Sequence, residues 1–183
     1  MPNHMMVDLE TLDTSPRSLI LQVGLVVFDP DDDQRSFISR SWNVDLGSCH
    51  VLGGTYSEST LLWWLTNTEE ARRSVAQGPR APITTVLQEL GQTYRSNGCQ
   101  AVWSHGATFD IPILAYYYDR LKAPLPWKFW AARDTRTLFA LAKDLAGHDI
   151  EKRTVAHTAE ADARAQAEDV QAALKALRER TLG

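Results

Sequence analysis

Residues 4–10, His4-Met-Met-Val-Asp-Leu-Glu10, form a short apolar stretch that ends in acids. A longer run rich in Val, Leu and Ile follows at 19–28, and an acidic turn at 29–33 ends it. Residues 35–44 then alternate between apolar and polar side chains, which is typical of a strand with one buried face. These stretches predict a three-stranded antiparallel meander, in which the second and third strands form a hairpin.

The apolar spacing becomes helical after this meander. Helices are expected from Ser57 onward and at 69–76, 83–95, 111–121, 134–145 and 159–180, with one short strand at 100–103. Three early strands followed by strand and helix units indicate one α/β domain over residues 1–183. We expect a mixed central β-sheet flanked by α-helices.

The composition is that of a globular protein with a mild acidic excess. Of 183 residues, 44% are hydrophobic and 23% are charged, and 19 Lys and Arg face 23 Asp and Glu for a formal net charge of −4. A domain whose main task is to coat nucleic acid usually carries a strong basic excess, so this class is disfavoured. An enzyme that grips nucleic acid locally remains open.

The cysteines and apolar segments favour a protein of the cytoplasm. Cys49 and Cys99 stand in unrelated contexts without CxxC spacing, so neither a disulfide framework nor a zinc site is expected. The N-terminal stretch reaches Asp8 too early for a signal peptide. The most apolar run is interrupted by Gln22 and Gly24 and is too short to span a bilayer.

Asp8 and Glu10 form the first candidate site. Residues two apart on a strand point to the same face, so the two carboxylates stand side by side while Leu9 points the other way. Two adjacent acids beside an apolar strand repel each other and lose hydration, which makes a cation their natural partner. The alternative is a strand end that enters solvent.

Two further acids begin predicted helices. Asp110 ends the segment Ser104-His-Gly-Ala-Thr-Phe-Asp110 and is either a site residue or a helix cap. The segment His157-Thr-Ala-Glu-Ala-Asp162 opens the last helix and places a histidine just over one turn before an acid. Taken alone, this last segment is more typical of an acidic helix start with a surface histidine.

Together, these segments predict a metal site. Its four carboxylates come from three separated segments, and oxygen ligands are what Mg²⁺ and Mn²⁺ prefer. Two such ions about 4 Å apart, which clamp an in-line phosphoryl displacement, need several carboxylates with one shared between them. The imidazole of His157 has a pKa range suited to accepting a proton from the attacking water.

At these motifs the sequence resembles the DEDDh 3′→5′ exonucleases of the ribonuclease H-like superfamily. Their DxET motif corresponds to residues 8–11, and their HxAxxD motif corresponds to 157–162 without departure. The motif that is roughly N-A-x-F-D appears at 105–110, with His105 where Asn is usual. The resemblance covers about residues 5–178 and is greatest to the small bacterial and phage RNase T-like 3′-exoribonucleases, the exonuclease VIII-like group. It implies a ribonuclease H-like fold.

The resemblance also implies a role for each site residue. Asp8 bridges two Mg²⁺ or Mn²⁺ ions. Glu10 and Asp162 complete the site of the ion that holds the nucleophilic water, whereas Asp110 supports the ion that stabilises the leaving 3′-oxygen. His157 is the implied general base.

Substrate contacts are implied near the same strand end. Thr11 and Leu12 lie against the terminal nucleotide, and the departure at His105 alters contacts to that nucleotide without removing a metal ligand. Stacking on aromatic side chains holds single strands without sequence readout, which makes Trp63 and Trp64 candidates. Adjacent helical side chains point about 100° apart, so at most one of the two faces the site, and core packing is the alternative for either.

A homodimer is implied by the same resemblance. A loop rich in Pro and Trp carries Trp127, Phe129 and Trp130, which pack the loop, line the substrate groove or form a dimer contact.

The sequence as a whole predicts a metal-dependent 3′→5′ exonuclease that releases nucleoside 5′-monophosphates from single-stranded or 3′-overhanging nucleic acid. RNA is the favoured substrate, DNA is close behind, and the setting is the cytoplasm of a bacterial cell or a phage-infected host. The alternatives are a 3′→5′ exodeoxyribonuclease, a proofreading-type subunit, an endonuclease of the ribonuclease H type and a catalytically inactive binding module. Setting aside the four site carboxylates leaves as many acids as bases, so phosphate attraction is expected to depend on bound metal and a local groove.

Overall fold

The three apolar stretches form the predicted meander. The protein is seen in a computed structural model that describes residues 3–32, 37–150 and 158–182. The strands of the meander are β1 (His4–Thr11), β2 (Ile20–Phe28) and β3 (Ile38–Val44). Both pairings within it are antiparallel. The predicted start of the third strand, at Arg35, lies outside the described residues.

Three more strands extend the sheet on both sides. They are β4 (Arg80–Ala81), β5 (Ala101–Ser104) and β6 (Ala132–Asp134). The order across the sheet is β4-β3-β2-β1-β5-β6, in which β1 and β5, β5 and β6, and β3 and β4 run parallel. The predicted mixed sheet, with parallel strands added to an antiparallel meander, is confirmed.

Helices connect and cover these strands. Those in the described part of the chain are α1 (Leu46–His50), α2 (Glu58–Thr66), α3 (Glu69–Ala76), α4 (Ile83–Ser96), α5 (Asp110–Arg120), α6 (Thr135–Ala146) and α7 (Ala159–Leu182). All the predicted helices are present, with ends that differ by one or two residues at most from those expected.

Side-chain caps explain where two of the predicted helices begin. The hydroxyl of Ser57 accepts from the backbone N–H of Thr60 at 3.2 Å and so caps α2. The hydroxyl of Thr68 accepts from the N–H of Ala71 at 3.2 Å and caps α3 in the same way. Such caps satisfy backbone donors that have no partner within the helix.

The elements that sequence analysis missed are all short. Helix α1, strand β4 and a 3₁₀ turn at Phe129–Ala131 lie where no helix or strand was predicted, and strand β6 ends at Asp134, which was expected to begin a helix. Strand β4 has two residues and is defined by its pairing with Asn43 and Val44 of β3. A segment this short contains no periodicity, so only its distant partner makes it a strand.

The two faces of the sheet are covered differently. Helices α4 and α5 cover one face with large side chains such as those of Leu90, Ile113 and Tyr117. Helix α7, with α6 beside it, covers the other face with small ones, including Ala163 and Ala167. We call these the packed face and the alanine face.

The loop before β6 divides its aromatic residues between core and surface. Trp127 is buried, with its ring centroid 5.9 Å from that of Tyr94 and 6.1 Å from that of Tyr118. Phe129 and Trp130 are exposed and meet edge to face. Of the three open roles for this loop, Trp127 therefore takes core packing.

Two further observations concern the cysteines and the length of the helices. Cys49 and Cys99 are buried free thiols. No helix in the described ranges is both long enough and apolar enough to cross a membrane.

Candidate active site

The end of β1 carries its two acids on the alanine face. Val7 and Leu9 belong to the core of the packed face. Because side chains alternate along a strand, Asp8 and Glu10 point to the other side. The pairing register shifts between Glu10 and Thr11, the last two residues of β1. Such bulges redirect neighbouring side chains and are frequent beside functional sites.

Helix α7 approaches β2 closely enough to reach these acids. Gly24 of β2 lies opposite Asp8, and a Cβ atom on Gly24 would stand 2.1 Å from the backbone of Ala159. Any side chain at this position would therefore overlap the first residue of the helix. The glycine allows the first turn of α7, which carries Asp162, to rest directly on the strand.

Side-chain hydrogen bonds hold this first turn in place. Gln22 of β2 is buried, and its Oε1 accepts from the backbone N–H of Ala159 at 2.9 Å. The carboxylate of Glu160 accepts from the hydroxyls of Ser39 and Ser41 on β3, at 2.5 and 3.0 Å. The polar residue that interrupts the apolar run of β2 therefore anchors a helix that begins more than a hundred residues later.

The structure brings the four predicted carboxylates together. One oxygen from each of Asp8, Glu10 and Asp162 lies within 4.8 Å of the others. Asp110 is buried beside them, and its Oδ1 accepts from the backbone N–H of Leu9 at 3.0 Å. The side chain of Asp110 is thus fixed on β1 between the two acids of that strand. We call the four residues the acid cluster.

A tight turn delivers Asp110 from the end of β5. Gly106 has φ +100°, a backbone conformation that favours glycine. Its N–H donates to the carbonyl of Ser104, and its own carbonyl accepts from the N–H of Phe109, both at 3.0 Å. These bonds direct the chain from β5 straight into α5, whose first residue is Asp110.

Burial and mutual repulsion raise the pKa values of the clustered acids. Burial, followed by the charges of Asp110 and Glu10, raises the pKa of Asp8 well above its ordinary value. Burial, Asp162 and Asp110 together raise the pKa of Glu10 to about 8. Burial raises the pKa of Asp110 to about 7. These groups ionise reluctantly until a positive charge joins them.

The donor set of the acid cluster fits a hard divalent cation. Every candidate ligand atom is a carboxylate oxygen, and such oxygens are the ligands that Mg²⁺ and Mn²⁺ prefer. Soft or borderline metals favour sulfur and imidazole ligands, and among the described residues no cysteine or histidine joins the cluster of Asp8, Glu10 and Asp162. The geometry and the electrostatics of the cluster are therefore compatible with binding of a divalent cation.

A pocket of about 340 Å³ opens directly beside the acid cluster. Glu10 lines it together with its strand neighbours Leu9 and Thr11. Aromatic side chains from two helical segments close it, namely Trp63, Trp64 and Phe109. A group bound in this pocket would lie between a carboxylate and aromatic rings.

The two adjacent tryptophans of α2 have different environments. Trp64 is 5% exposed, and its Nε1 donates to the carbonyl of Thr11 at 2.9 Å. Trp63 is 48% exposed and meets Trp64 edge to face, with ring centroids 5.0 Å apart. Trp64 thus joins α2 to the end of β1, and Trp63 presents aromatic surface at the pocket.

The other predicted substrate contacts lie at varying distances from this pocket. Thr11 lines it, and its hydroxyl donates to the carbonyl of Asp13 at 2.8 Å. Leu12 is partly buried against the hydrophobic core and is absent from the pocket wall. His105 is also absent from the wall, and its Nδ1 lies 2.9 Å from the hydroxyl of Thr135 on α6. Burial, and then the charge of Arg136, lowers the pKa of His105.

His157, the expected general base, lies outside the described residues. Its role stays a prediction.

Three residues of the site escaped sequence analysis. Phe109 directly precedes Asp110 and lines the pocket. Gln22 interrupts an apolar strand, a signal for a buried polar contact that we read only as an interruption. Gln166, whose amide donates to Asp8 at 2.8 Å, lies one helical turn after Asp162, and this spacing places it on the same face of the helix as that acid.

This architecture is the ribonuclease H-like fold. The solved structure of cell-death related nuclease 4 (CRN-4) matches it with a TM-score of 0.64 at 15% sequence identity. The match covers 96% of this chain, and this chain spans 64% of the length of that one. At this identity the likeness establishes the fold, and it confirms the predicted fold class.

The reaction follows from the family. The model of the Rv2179c-like 3′→5′ exoribonuclease domain matches residues 3–174, so the chain belongs to this family and is a 3′→5′ exonuclease of the ribonuclease H-like type. A similar protein, the exodeoxyribonuclease of Enterobacteria phage T4, is 24% identical over an alignment 182 residues long, and the match covers 81% of this chain and 77% of the phage protein. The prediction of a 3′→5′ exonuclease is confirmed.

Proposed function

We propose that the chain is a single exonuclease domain, residues 1–183, that shortens single-stranded or 3′-overhanging nucleic acid from its 3′ end. It uses two Mg²⁺ or Mn²⁺ ions and releases nucleoside 5′-monophosphates. RNA is its preferred substrate.

One observation carries this proposal: Glu10 belongs both to the acid cluster and to the wall of the aromatic pocket. A terminal nucleotide seated in the pocket therefore has its phosphodiester close to the carboxylates. The pocket volume of about 340 Å³ is at the lower end of the usual range for a single small ligand. This size supports removal of one nucleotide at a time.

The four acids of the cluster would hold the ions. Asp8 would be shared between the two ions, Glu10 and Asp162 would serve the first, and Asp110 would serve the second. When bound, these ions supply a nucleophile from water and stabilise the charge that develops on the phosphate. The chain itself contributes rigid placement, because Asp110 is bonded to β1 and the first turn of α7 is bonded to β2 and β3.

His157 is assigned the general base. Its place in the HxAxxD motif, five residues before Asp162, supports this role. His157→Ala should retain metal binding and lose about 10²–10⁴-fold in rate, the usual contribution of general acid–base catalysis. If this variant cleaves normally across neutral pH, the assignment is wrong.

The pocket wall supports a single-stranded 3′ end. Bases stack on aromatic side chains without regard to sequence, and Trp63 and Phe109 offer such surfaces beside Glu10. A base must leave its duplex partner to reach them. We therefore assign Trp63 a stacking role, and Trp64 the role of fixing α2 on the carbonyl of Thr11.

The two leading candidate functions, exoribonuclease and exodeoxyribonuclease, differ in whether the substrate is RNA or DNA. The family description, an exoribonuclease domain, supports RNA. The phage relative, named an exodeoxyribonuclease, supports DNA as the second candidate. Digestion of matched RNA and DNA oligonucleotides, each labelled at the 5′ end, with Mg²⁺ and then Mn²⁺, decides between them. We expect a ladder of shortened products in both cases, with faster shortening of RNA.

The same assay tests the direction and the class of the reaction. A circular single strand should stay intact, and its cleavage would indicate an endonuclease instead. Asp8→Ala should abolish release of mononucleotides while leaving the fold intact. Absence of release by the unaltered protein with either metal would favour an inactive binding module.

We also propose a homodimer. An exposed aromatic pair, Phe129 at 87% and Trp130 at 62% exposure, supports an apolar contact outside the acid cluster. Light scattering should give twice the chain mass, and Trp130→Ser should reduce it to one chain. A monomeric unaltered protein at micromolar concentration would contradict this proposal.

A further inference from the structure

Gln166 reaches the acid cluster from the second turn of α7. It lies four residues after Asp162, and residues four apart share one face of a helix. Its Nε2 donates to Oδ1 of Asp8 at 2.8 Å. One face of α7 therefore contributes both an acid and an amide to the same site.

This contact is built in at a cost to the fold. The Oε1 atom of Gln166 is buried and has no hydrogen-bond partner among the residues that the structure describes. Burying a polar atom without a partner is unfavourable, because the atom loses its hydrogen bonds to water. Ala163 and Ala167, on either side along the helix, are fully buried apolar residues. The contact that offsets this cost is the hydrogen bond from the Gln166 amide to Asp8.

The direction of the hydrogen bond follows from the chemistry of its partner. An ionised carboxylate only accepts hydrogen bonds, so the NH₂ end of the amide must face Asp8 whenever Asp8 binds a cation. A carboxylate has about four lone-pair directions, which allows a hydrogen bond and a cation to share it. The amide thus acts on Asp8 without displacing a ligand.

We propose that Gln166 is a positioning residue that holds the carboxylate plane of Asp8 in the orientation required to bind metal. This inference rests on the proposed function, in which Asp8 is the shared ligand. A shared ligand must present oxygens in two directions, so its orientation matters more than that of a ligand to one ion. Outer partners of this kind typically change metal affinity or activity 10–100-fold when they are removed.

The test compares two glutamines of the same helix. Gln166→Met keeps the approximate volume and removes the donor. Gln171→Met is the matched control, because Gln171 is buried in α7 as well but donates to the carbonyls of Asp29 and Asp32, at 2.7 and 3.0 Å. Mn²⁺ binding is measured by calorimetry and by the spectrum of free Mn²⁺ in electron paramagnetic resonance, without substrate.

We expect Gln166→Met to weaken Mn²⁺ binding by about 10–100-fold and Gln171→Met to leave it within about twofold of the unaltered protein. In the exonuclease assay, raising Mn²⁺ should restore much of the rate of Gln166→Met. Gln166→Asn, which keeps the amide but shortens its reach, should show the same loss and serves if the first variant does not fold.

The outcomes separate this inference from the function on which it rests. If the unaltered protein does not bind Mn²⁺, the proposed metal site fails. If it binds and Gln166→Met binds equally well, the metal site stands and the positioning role is overturned. Equal losses in Gln166→Met and Gln171→Met would also overturn it, because they would trace the effect to the general integrity of α7.

Discussion

The packed face and the alanine face of the sheet differ in how closely their helices approach the same strands. On the packed face, large side chains from α4 and α5 fill the space above β1 and β2. On the alanine face, α7 comes so close to β2 that its backbone meets Gly24. The first arrangement separates helix and strand by the thickness of a hydrophobic core. The second places functional groups of the helix within reach of those of the strand.

Proximity of this kind is what a cluster of carboxylates requires. The acids of β1 and the acid of α7 lie within 4.8 Å because small residues line the contact between the two elements. Hydrogen bonds with Gln22, Ser39 and Ser41 hold the first turn of α7 in place, as large side chains hold the helices of the packed face. We conclude that α7 lies close to the strands of the alanine face at the expense of apolar contact, and that hydrogen bonds hold it rigidly in place.

The largest effect is expected from removing a charge on the alanine face. Asp8→Asn keeps the side-chain volume but weakens metal ligation, which contributes several kcal/mol to transition-state stabilisation. The expected loss is on the order of 10³-fold in kcat, at about 1.4 kcal/mol per tenfold. Single-turnover release of mononucleotide measures it.

Asp149→Asn is the matched control for this loss. Asp149 is an exposed acid that pairs with Lys143 at 2.8 Å, far along the chain from β1. It should retain the full rate. A loss confined to Asp8→Asn locates the chemistry on the alanine face, and equal losses would contradict that location.

The next prediction compares substitutions at Gly24 and Leu25, two neighbouring positions of β2 that face opposite sides of the sheet. Gly24→Ala places a Cβ atom about 2.1 Å from the Ala159 backbone, so the first turn of α7 must move. A displacement of about 1 Å at a site costs on the order of 10²-fold in rate. We expect a loss of this size in kcat together with weakened Mn²⁺ binding.

Leu25→Ala gives the opposite pattern. Leu25 is fully buried in the packed face, and truncation of such a residue costs about 2–5 kcal/mol of unfolding free energy. Its Mn²⁺ affinity should stay close to that of the unaltered protein. Denaturant unfolding and Mn²⁺ calorimetry on both variants provide the comparison, and a weakened Mn²⁺ site in Leu25→Ala would show that the two faces are not independent.

The contact between Gly24 and Ala159 also shows which features of the site cannot be predicted from local sequence patterns. The strand pattern predicted that Asp8 and Glu10 share a face, because the period of two is a local property of the chain. The motif at the head of the last helix predicted Asp162. Nothing local predicted that Gly24 meets Ala159, since that contact joins segments more than a hundred residues apart.

The same distinction explains the elements and contacts that were missed. Helix starts at Ser57 and Thr68 were predictable because their caps bond within three residues. Strand β4 was not, because its pairing with β3 is its only strand-like property. The spacing of Gln166 from Asp162 places both on one face of α7, but the partner of Gln166 on β1 depends on how α7 crosses the sheet.

A smaller effect is expected at the pocket. Trp63→Ala removes an exposed ring beside Glu10, and loss of one stacked base costs about 1–3 kcal/mol. KM for a single-stranded oligonucleotide should rise about 10–100-fold, with Mn²⁺ affinity unchanged. Leu62→Ala, at an exposed residue of the same helix that is absent from the pocket wall, should leave KM unchanged. An unchanged KM in Trp63→Ala would refute the stacking role.

The last prediction concerns the stability of the metal-free protein as a function of pH. The pKa of Glu10 is raised from 4.5 to about 8, and that of Asp110 from 3.8 to about 7. Between about pH 4 and pH 8 the folded protein therefore holds protons that the unfolded chain has released. Unfolding then releases protons, so the free energy of unfolding should fall as pH rises through this window and level off above it.

Metal should reverse this trend, because it takes the place of the retained protons. With saturating Mg²⁺, we expect the free energy of unfolding to be insensitive to pH or to rise between pH 5 and pH 8, and Glu10→Gln should flatten the metal-free profile. Cys99 on the packed face does not contribute to this trend, because burial raises the pKa of its thiol to about 12, which is above the pH window. Thermal melts at several pH values, with and without Mg²⁺, test this. A metal-free profile that rises with pH would mean that the carboxylates of the alanine face are already compensated by the protein itself, and the case for a metal site would lose its electrostatic basis.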